Sequence, residues 1–202
     1  MRRILMAAIL ASAASAFASD WQVDASHSTI GFSVKHMMVT NVHGAFGKVT
    51  GSVKLDDKDI TKSVVEATID ASSIDTRDEK RDGHLKSPDF FDVAKFASVT
   101  FKSTKIEKAG KDKLKIHGDL TIHGVTKPVV LATEMGEKEY KDPFMGAMHR
   151  GAVATATMNR KDFGLTWNKP LEAAGGLMVG DDVAIELNIE LVKAPEGAAK
   201  GS

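Results

Sequence analysis

"KLKIHGDLTI", residues 113–122, decides the fold. Leu114, Ile116, Leu120 and Ile122 fall on one side of a two-residue period, and Lys115, His117, Asp119 and Thr121 on the other. Successive side chains of an extended chain point to opposite faces, so this stretch reads as a strand with one apolar and one wet face. Strands of that kind belong to antiparallel sheets, because parallel sheets bury both faces.

The same rhythm recurs in both directions. "TIGFSVKH" (29–36) sets Ile30, Phe32, Val34 and His36 against Thr29, Gly31, Ser33 and Lys35. "VVEATIDAS" (64–72) sets Val65, Ala67, Ile69 and Ala71 against Glu66, Thr68 and Asp70. "VAIELNIEL" (183–191) aligns Val183, Ile185, Leu187, Ile189 and Leu191. "VHGAFGKVTGSVKL" (42–55), "SVTFKSTKIE" (98–107), "KPVVLATE" (127–134) and "RGAVATATMNR" (150–160) read as strands with weaker contrast. In the first of these the apolar parity switches between Phe46 and Val49, which predicts a bulge near Gly47. Turn residues at "DDKD" (56–59), "KAGKDK" (108–113) and "HGVTKP" (123–128) separate the runs. Some eight antiparallel strands must form a sandwich or a closed barrel, and periodicity does not choose between them. A barrel of that size can hold one slender ligand.

One segment reads as helical. In "TRDEKRDGHLK" (76–86), Thr76 and Glu79 have the spacing of a capping box. Ser87 and Pro88 then look like the start of a second short helical turn carrying Phe90 and Phe91. At the start, Arg2 and Arg3, the apolar run Ile4–Ala14 and Ala16-Phe17-Ala18 have the form of a secretory leader. The expected organisation is a cleaved leader over 1–18, one domain over 19–193, and a disordered tail over 194–202, in an exported protein. Without the leader, 25 basic face 27 acidic residues, a formal charge of −2 that offers no field for nucleic acid. There is no cysteine, which excludes thiolate nucleophiles, thiolate metal sites and iron–sulfur clusters.

Chemistry is sparse. His27, His36, His43, His84, His117, His123 and His149 form neither His-x-His nor His-x-x-x-His, and no metal site or cofactor is expected. "DDKD" lacks the glycine and terminal glutamate of a calcium loop. "DASHS" (24–28) juxtaposes Asp, Ser and His, but on a strand such neighbours would point apart, so no triad is expected. "GGLMVG" (175–180) lacks the spacing and lysine of a phosphate loop. No catalytic residue is expected.

Taken in order, "WQVDASHSTIGFSVKH", "ATIDASSIDTRDEKRDGHLKSPDFFD", "GDLTIHGVTKPVVL", "NRKDFGLTWN" and "GLMVGDDVAIELNIEL" resemble the YceI-like family, lipocalin-like polyisoprenoid-binding proteins of bacterial periplasms. The resemblance covers nearly all of residues 20–192. It implies an all-β, eight-stranded antiparallel lipocalin-like barrel with a short helical excursion between two strands. It also implies a long-chain isoprenoid or similar amphiphile in the lumen, often in a dimer, and no established catalytic residues. Burying ~20 methylene-like carbons at ~0.8 kcal/mol each is worth ~16 kcal/mol before ordering costs. By parity, Phe32, Val34, Phe46, Ile69, Phe101, Ile116, Leu120, Met158 and Leu187 are the expected lumen wall, with Phe90 and Phe91 closing apolar space. Phe163 and Trp167 are expected to pack at a barrel end. Arg81, His84 and Arg160 are the head-group candidates. The main expectation is a non-catalytic lipid carrier with transient membrane contact. Its alternatives are an enzyme acting on an isoprenoid phosphate through those three residues, and an accessory factor acting by protein contact.

Overall fold

A computed structural model of the chain describes residues 18–171 and 176–195. Most of the expected leader and most of the expected tail lie outside the described residues. Ala194, assigned to the tail from sequence, instead donates its N–H to the Asp20 carbonyl at 2.8 Å.

The strands in chain order are β1 (Ala18–Val23), β2 (Thr29–His36), β3 (Thr40–Phe46), β4 (Val49–Asp56), β5 (Val64–Asp70), β6 (Ile74–Asp75), β7 (Ser98–Gly110), β8 (Lys113–Ile122), β9 (Val125–Met135), β10 (Tyr140–Lys141), β11 (Met148–Asn159) and β12 (Val179–Lys193), with one helix, α1 (Glu79–Lys86). In space they make eight staves, because β1 with β2, β3 with β4, β5 with β6, and β9 with β10 are single staves broken once each. Every stave pairs antiparallel with the next in sequence, and β12 returns to β1 and β2 to close the barrel. Closure leaves no long unpaired edge, which disposes of the sandwich alternative.

The expected bulge lies at Gly47-Lys48, between β3 and β4. It is stitched to the break between β5 and β6, with Gly47 N–H on the Ser73 carbonyl at 3.1 Å and Lys48 N–H on Ser73 Oγ at 3.1 Å. The two breaks lie side by side at one height of the barrel wall. At one end, Trp21, Leu55 and Leu191 form a buried cluster, and the Trp21 indole donates to Ser19 Oγ at 2.9 Å. At the other, Phe163 and Leu165 pack onto Val99, Leu120 and Ile122, as expected for Phe163.

The helix starts later than the capping box predicted. Asp78 caps it, accepting from Arg81 N–H at 2.9 Å. Thr76 is buried beside the helix instead, donating its hydroxyl to Asp82 at 2.5 Å and accepting from Arg81 Nε at 2.7 Å. Ser87 closes α1, its N–H on the His84 carbonyl, so it does not open a second helix. Residues 88–95 form successive turns, and Asp92 at φ 45° interrupts any helical continuation.

Candidate functional site

The alternation that builds the barrel also decides its interior. A cavity of about 270 Å³ occupies the lumen, lined by Phe32, Val34, Phe46, Ile69, Phe101, Ile116, Leu120, Met158 and Leu187, the nine placed there by parity, and by Phe90 and Phe91 from the turns after α1. Among the described lining residues only Ser63, Glu66, Thr133 and Arg160 have polar side chains. The first three are occupied elsewhere. Ser63 Oγ accepts from Asp56 N–H, Glu66 pairs with Lys102 at 2.8 Å, and Thr133 donates to the Leu131 carbonyl.

Small residues keep the lumen hollow. Ala152 and Ala154 on β11 face it from one wall and Ala67 on β5 from the opposite one. Two phenyl rings reach over glycines. A Cβ on Gly44 would come within 2.4 Å of the Phe32 ring, and one on Gly118 within 2.4 Å of the Phe101 ring. The rings thus occupy space that a side chain at either glycine would fill. Phe46 continues the aromatic wall, 5.8 Å from Phe32 and 5.7 Å edge-on to Phe91, which carries it under the turns after α1.

The three head-group candidates do not present free donors to this space. Arg160 lies in the 3-10 turn that follows β11, and it is 3% exposed. Its five N–H groups are all used, on the carbonyls of Gly180, Leu165, Trp167 and Val179 and on Asp181 Oδ1 at 3.2 Å. Burial pushes its pKa down, and Asp181 opposes that shift. Its parity with Met158 is right, but the strand ends there and backbone carbonyls converge on the guanidinium. Arg81 turns away from the lumen to Thr76, whose carbonyl its Nη2 meets at 2.7 Å, beside an outer groove with Asn41, His43 and Arg77. His84 lies over the α1 end of the barrel, edge-on to Phe90 at 5.1 Å and to Trp167 at 4.7 Å, with Nε2 2.9 Å from Asp89. That aromatic lid includes Trp167 where the sequence placed it.

Parity along the strand reaches a residue the sequence reading passed over. Arg150 is directly opposite Leu191 on β12 and shares the inward face of Ala152 and Ala154, so it stands at the rim of the lumen end remote from α1. Its Nε is the one buried side-chain N or O atom among the described residues that lacks a hydrogen-bond partner. Nη1 reaches only a loose contact with Glu139 at 3.8 Å. A buried, unpaired guanidinium N–H is costly unless an acceptor arrives.

Asp24, Ser26 and His27 do converge, contrary to the strand argument, because residues 24–28 lie between strands. Ser26 Oγ and Asp24 Oδ2 both meet His27 Nδ1, at 3.3 and 2.9 Å. A nucleophilic relay needs serine and carboxylate on opposite ring nitrogens, so this is not a triad.

Known proteins share this architecture. The UPF0312 protein SAS2572 of Staphylococcus aureus is 37% identical over 172 residues, spanning 85% of this chain and 96% of that protein. Among solved structures, Burkholderia cenocepacia BcnA superposes with a TM-score of 0.72 at 24% identity, over 83% of this chain and 98% of that one. The Campylobacter jejuni YceI protein gives 0.67 at 28%, over 80% and 90%. A polyisoprenoid binding domain from Saccharophagus degradans, implicated in plant cell wall breakdown, gives 0.63 at 13%, over 86% and 98%. Residues 21–191 match the YceI-like domain, and the chain belongs to the YceI-like family.

Proposed function

We propose that the protein is a non-catalytic carrier that holds one long-chain isoprenoid, or a similar amphiphile, in the barrel lumen, and that the leader over residues 1–18 delivers it to the periplasm. The observation that carries this reading is a closed, hollow lumen whose wall has almost no free polar group. Water gains little there, whereas an apolar chain gains from every carbon it removes from solvent. The isoprenoid class is the first to test because the Saccharophagus polyisoprenoid binding domain has this fold. Apolar walls discriminate single methylenes weakly, so a family of chain lengths is expected. The decisive measurement is mass spectrometry of lipid extracted from protein purified from its native host. One isoprenoid-type chain per barrel supports the proposal, and a lipid-free barrel that takes up no prenol overturns it.

The end under α1 is closed by Phe90, 6% exposed, and by Phe91. Replacing both with alanine is expected to raise the rate of prenol release about tenfold or more, because two ring contacts of roughly 1 kcal/mol each are lost beyond area burial. Transfer of a fluorescent prenol to vesicles reads this rate, and an unchanged rate would reduce the segment to a connection.

Arg150 gives the carrier a polar end. Arg150→Met is expected to weaken binding of a prenyl phosphate about 10- to 100-fold, as for a lost hydrogen bond to a charged group, and to leave the matching neutral prenol unaffected. Competition of the two ligands against one fluorescent probe tests it. Equal losses for both would mean that Arg150 only shapes the rim.

A further inference from the structure

The lumen makes no use of "DASHS". Val23 pairs with Leu191 and Thr29 with Asn188, so residues 24–28 face only Ile189 and Glu190 of β12. The surplus chain is fastened to Glu190 through both backbone groups. Asp24 N–H donates to the Glu190 carbonyl at 2.9 Å, and Glu190 N–H donates to Ser28 Oγ at 3.0 Å. Glu190 alternates with the inward Ile189 and Leu191, so its carboxylate stands on the outer face. His149, which alternates with Arg150 on β11, reaches it there.

Four side chains from three staves therefore meet. His27 Nδ1 lies 2.9 Å from Asp24 Oδ2 and 4.0 Å from Glu190 Oε1, and His149 Nδ1 lies 2.6 Å from that same Oε1. One ligand atom from each of Asp24, His27 and Glu190 falls within 4.8 Å of the others. Gly151, opposite Glu190, has nothing within 4 Å of where its Cβ would be, so the cluster is open to solvent on that side.

We propose that Asp24, His27, His149 and Glu190 bind a single divalent late first-row transition ion, for which zinc is the probe. Two imidazoles and two carboxylates suit such an ion, whereas calcium and magnesium prefer larger all-oxygen sets. The ligand atoms of Asp24, His27 and Glu190 already lie within 4.8 Å of one another, and His149 Nδ1 joins them through Glu190 Oε1 at 2.6 Å. A bound ion ties β11, β12 and the β1–β2 stave together on the outer wall. A search for metal spacing along the chain misses this set because the ligands come from residues 24–27, 149 and 190.

The test is isothermal titration of untagged full-length protein with zinc chloride at pH 7.5, with calcium as control. One saturable zinc ion per chain is expected, with no comparable calcium binding. His27→Ala and His149→Ala should each weaken it about tenfold or more, and Asp24→Asn should weaken it with the turn's chain length intact. Zinc should also raise the melting temperature of the native chain but not of the doubly substituted His27→Ala, His149→Ala chain. Absent zinc binding, binding retained in the double variant, or calcium binding as tight as zinc each overturns the site, whatever the lumen holds.

Discussion

Arg160→Met is expected to lower the unfolding free energy by about 3–5 kcal/mol, the usual cost of removing one member of a buried charged cluster. The loss is not one of charge alone. Asp181 keeps Lys161 at 2.8 Å, and the Val179 carbonyl keeps Asn168 Nδ2 at 2.7 Å. The carbonyls of Leu165, Trp167 and Gly180 lose the guanidinium donor they share. These carbonyls lie on the turn after β11, on the strand-free segment that follows, and on the first turn of register in β12, so one side chain holds the α1 end of the barrel together. For a domain of this length the melting temperature should fall by roughly 10 °C. Arg160→Lys should recover only part, since three donors on a point charge cannot replace five in a fixed fork. A loss below about 1 kcal/mol in Arg160→Met would mean that water reaches those carbonyls freely. Below its transition the variant should still hold lipid with nearly native affinity, because no donor of Arg160 is spare. Lipid lost from a folded Arg160→Met protein would restore Arg160 as a head-group contact.

Arg160 also marks where sequence reading stops. Parity alone placed it inside with Met158, and inside is where it lies. What parity cannot show is that the chain leaves the sheet at Asn159 and folds its own carbonyls onto the guanidinium. Arg150 is the converse case. It stands one step further along the face of Ala152 and Ala154, and extending the alternation of "RGAVATATM" would have reached it. The eight staves and the lumen wall were legible because each strand has one wet and one dry face, a local property. The breaks in four staves were legible only at Gly47, where the parity visibly slips. At residues 24–28 the slip hides in a polar run, so Asp24 and His27 read as strand neighbours pointing apart. The zinc ligands are brought together by pairing of β12 with β11 and with β2, contacts that no local period encodes. Whether the interior is full or hollow was illegible too. It depends on Ala67, Ala152 and Ala154 lying across one lumen, which the sequence shows only as three small residues far apart.

Those alanines give the second large expected effect, because stability and binding should respond to them in opposite directions. Ala154 is 6% exposed and faces the cavity from β11, between Leu187 on one neighbour and Thr133 on the other. In a filled core, Ala154→Phe would overpack and cost about 1–3 kcal/mol. In a hollow lumen the ring enters empty space, and each buried carbon contributes about 0.8 kcal/mol, so the melting temperature should hold or rise. The same ring occupies much of a cavity of about 270 Å³ and leaves no continuous path for a chain. Prenol affinity should therefore fall by about 100-fold or more, since several buried methylenes at about 0.8 kcal/mol each are excluded. Ala67→Phe, from the opposite wall on β5, should do the same by a different route. Thermal denaturation and prenol titration of both variants separate the possibilities. Reduced stability with unchanged binding would show that the lumen is a packed core and that ligand binds elsewhere. Retained stability with abolished binding, from either wall, is the result that only an occupied lumen explains.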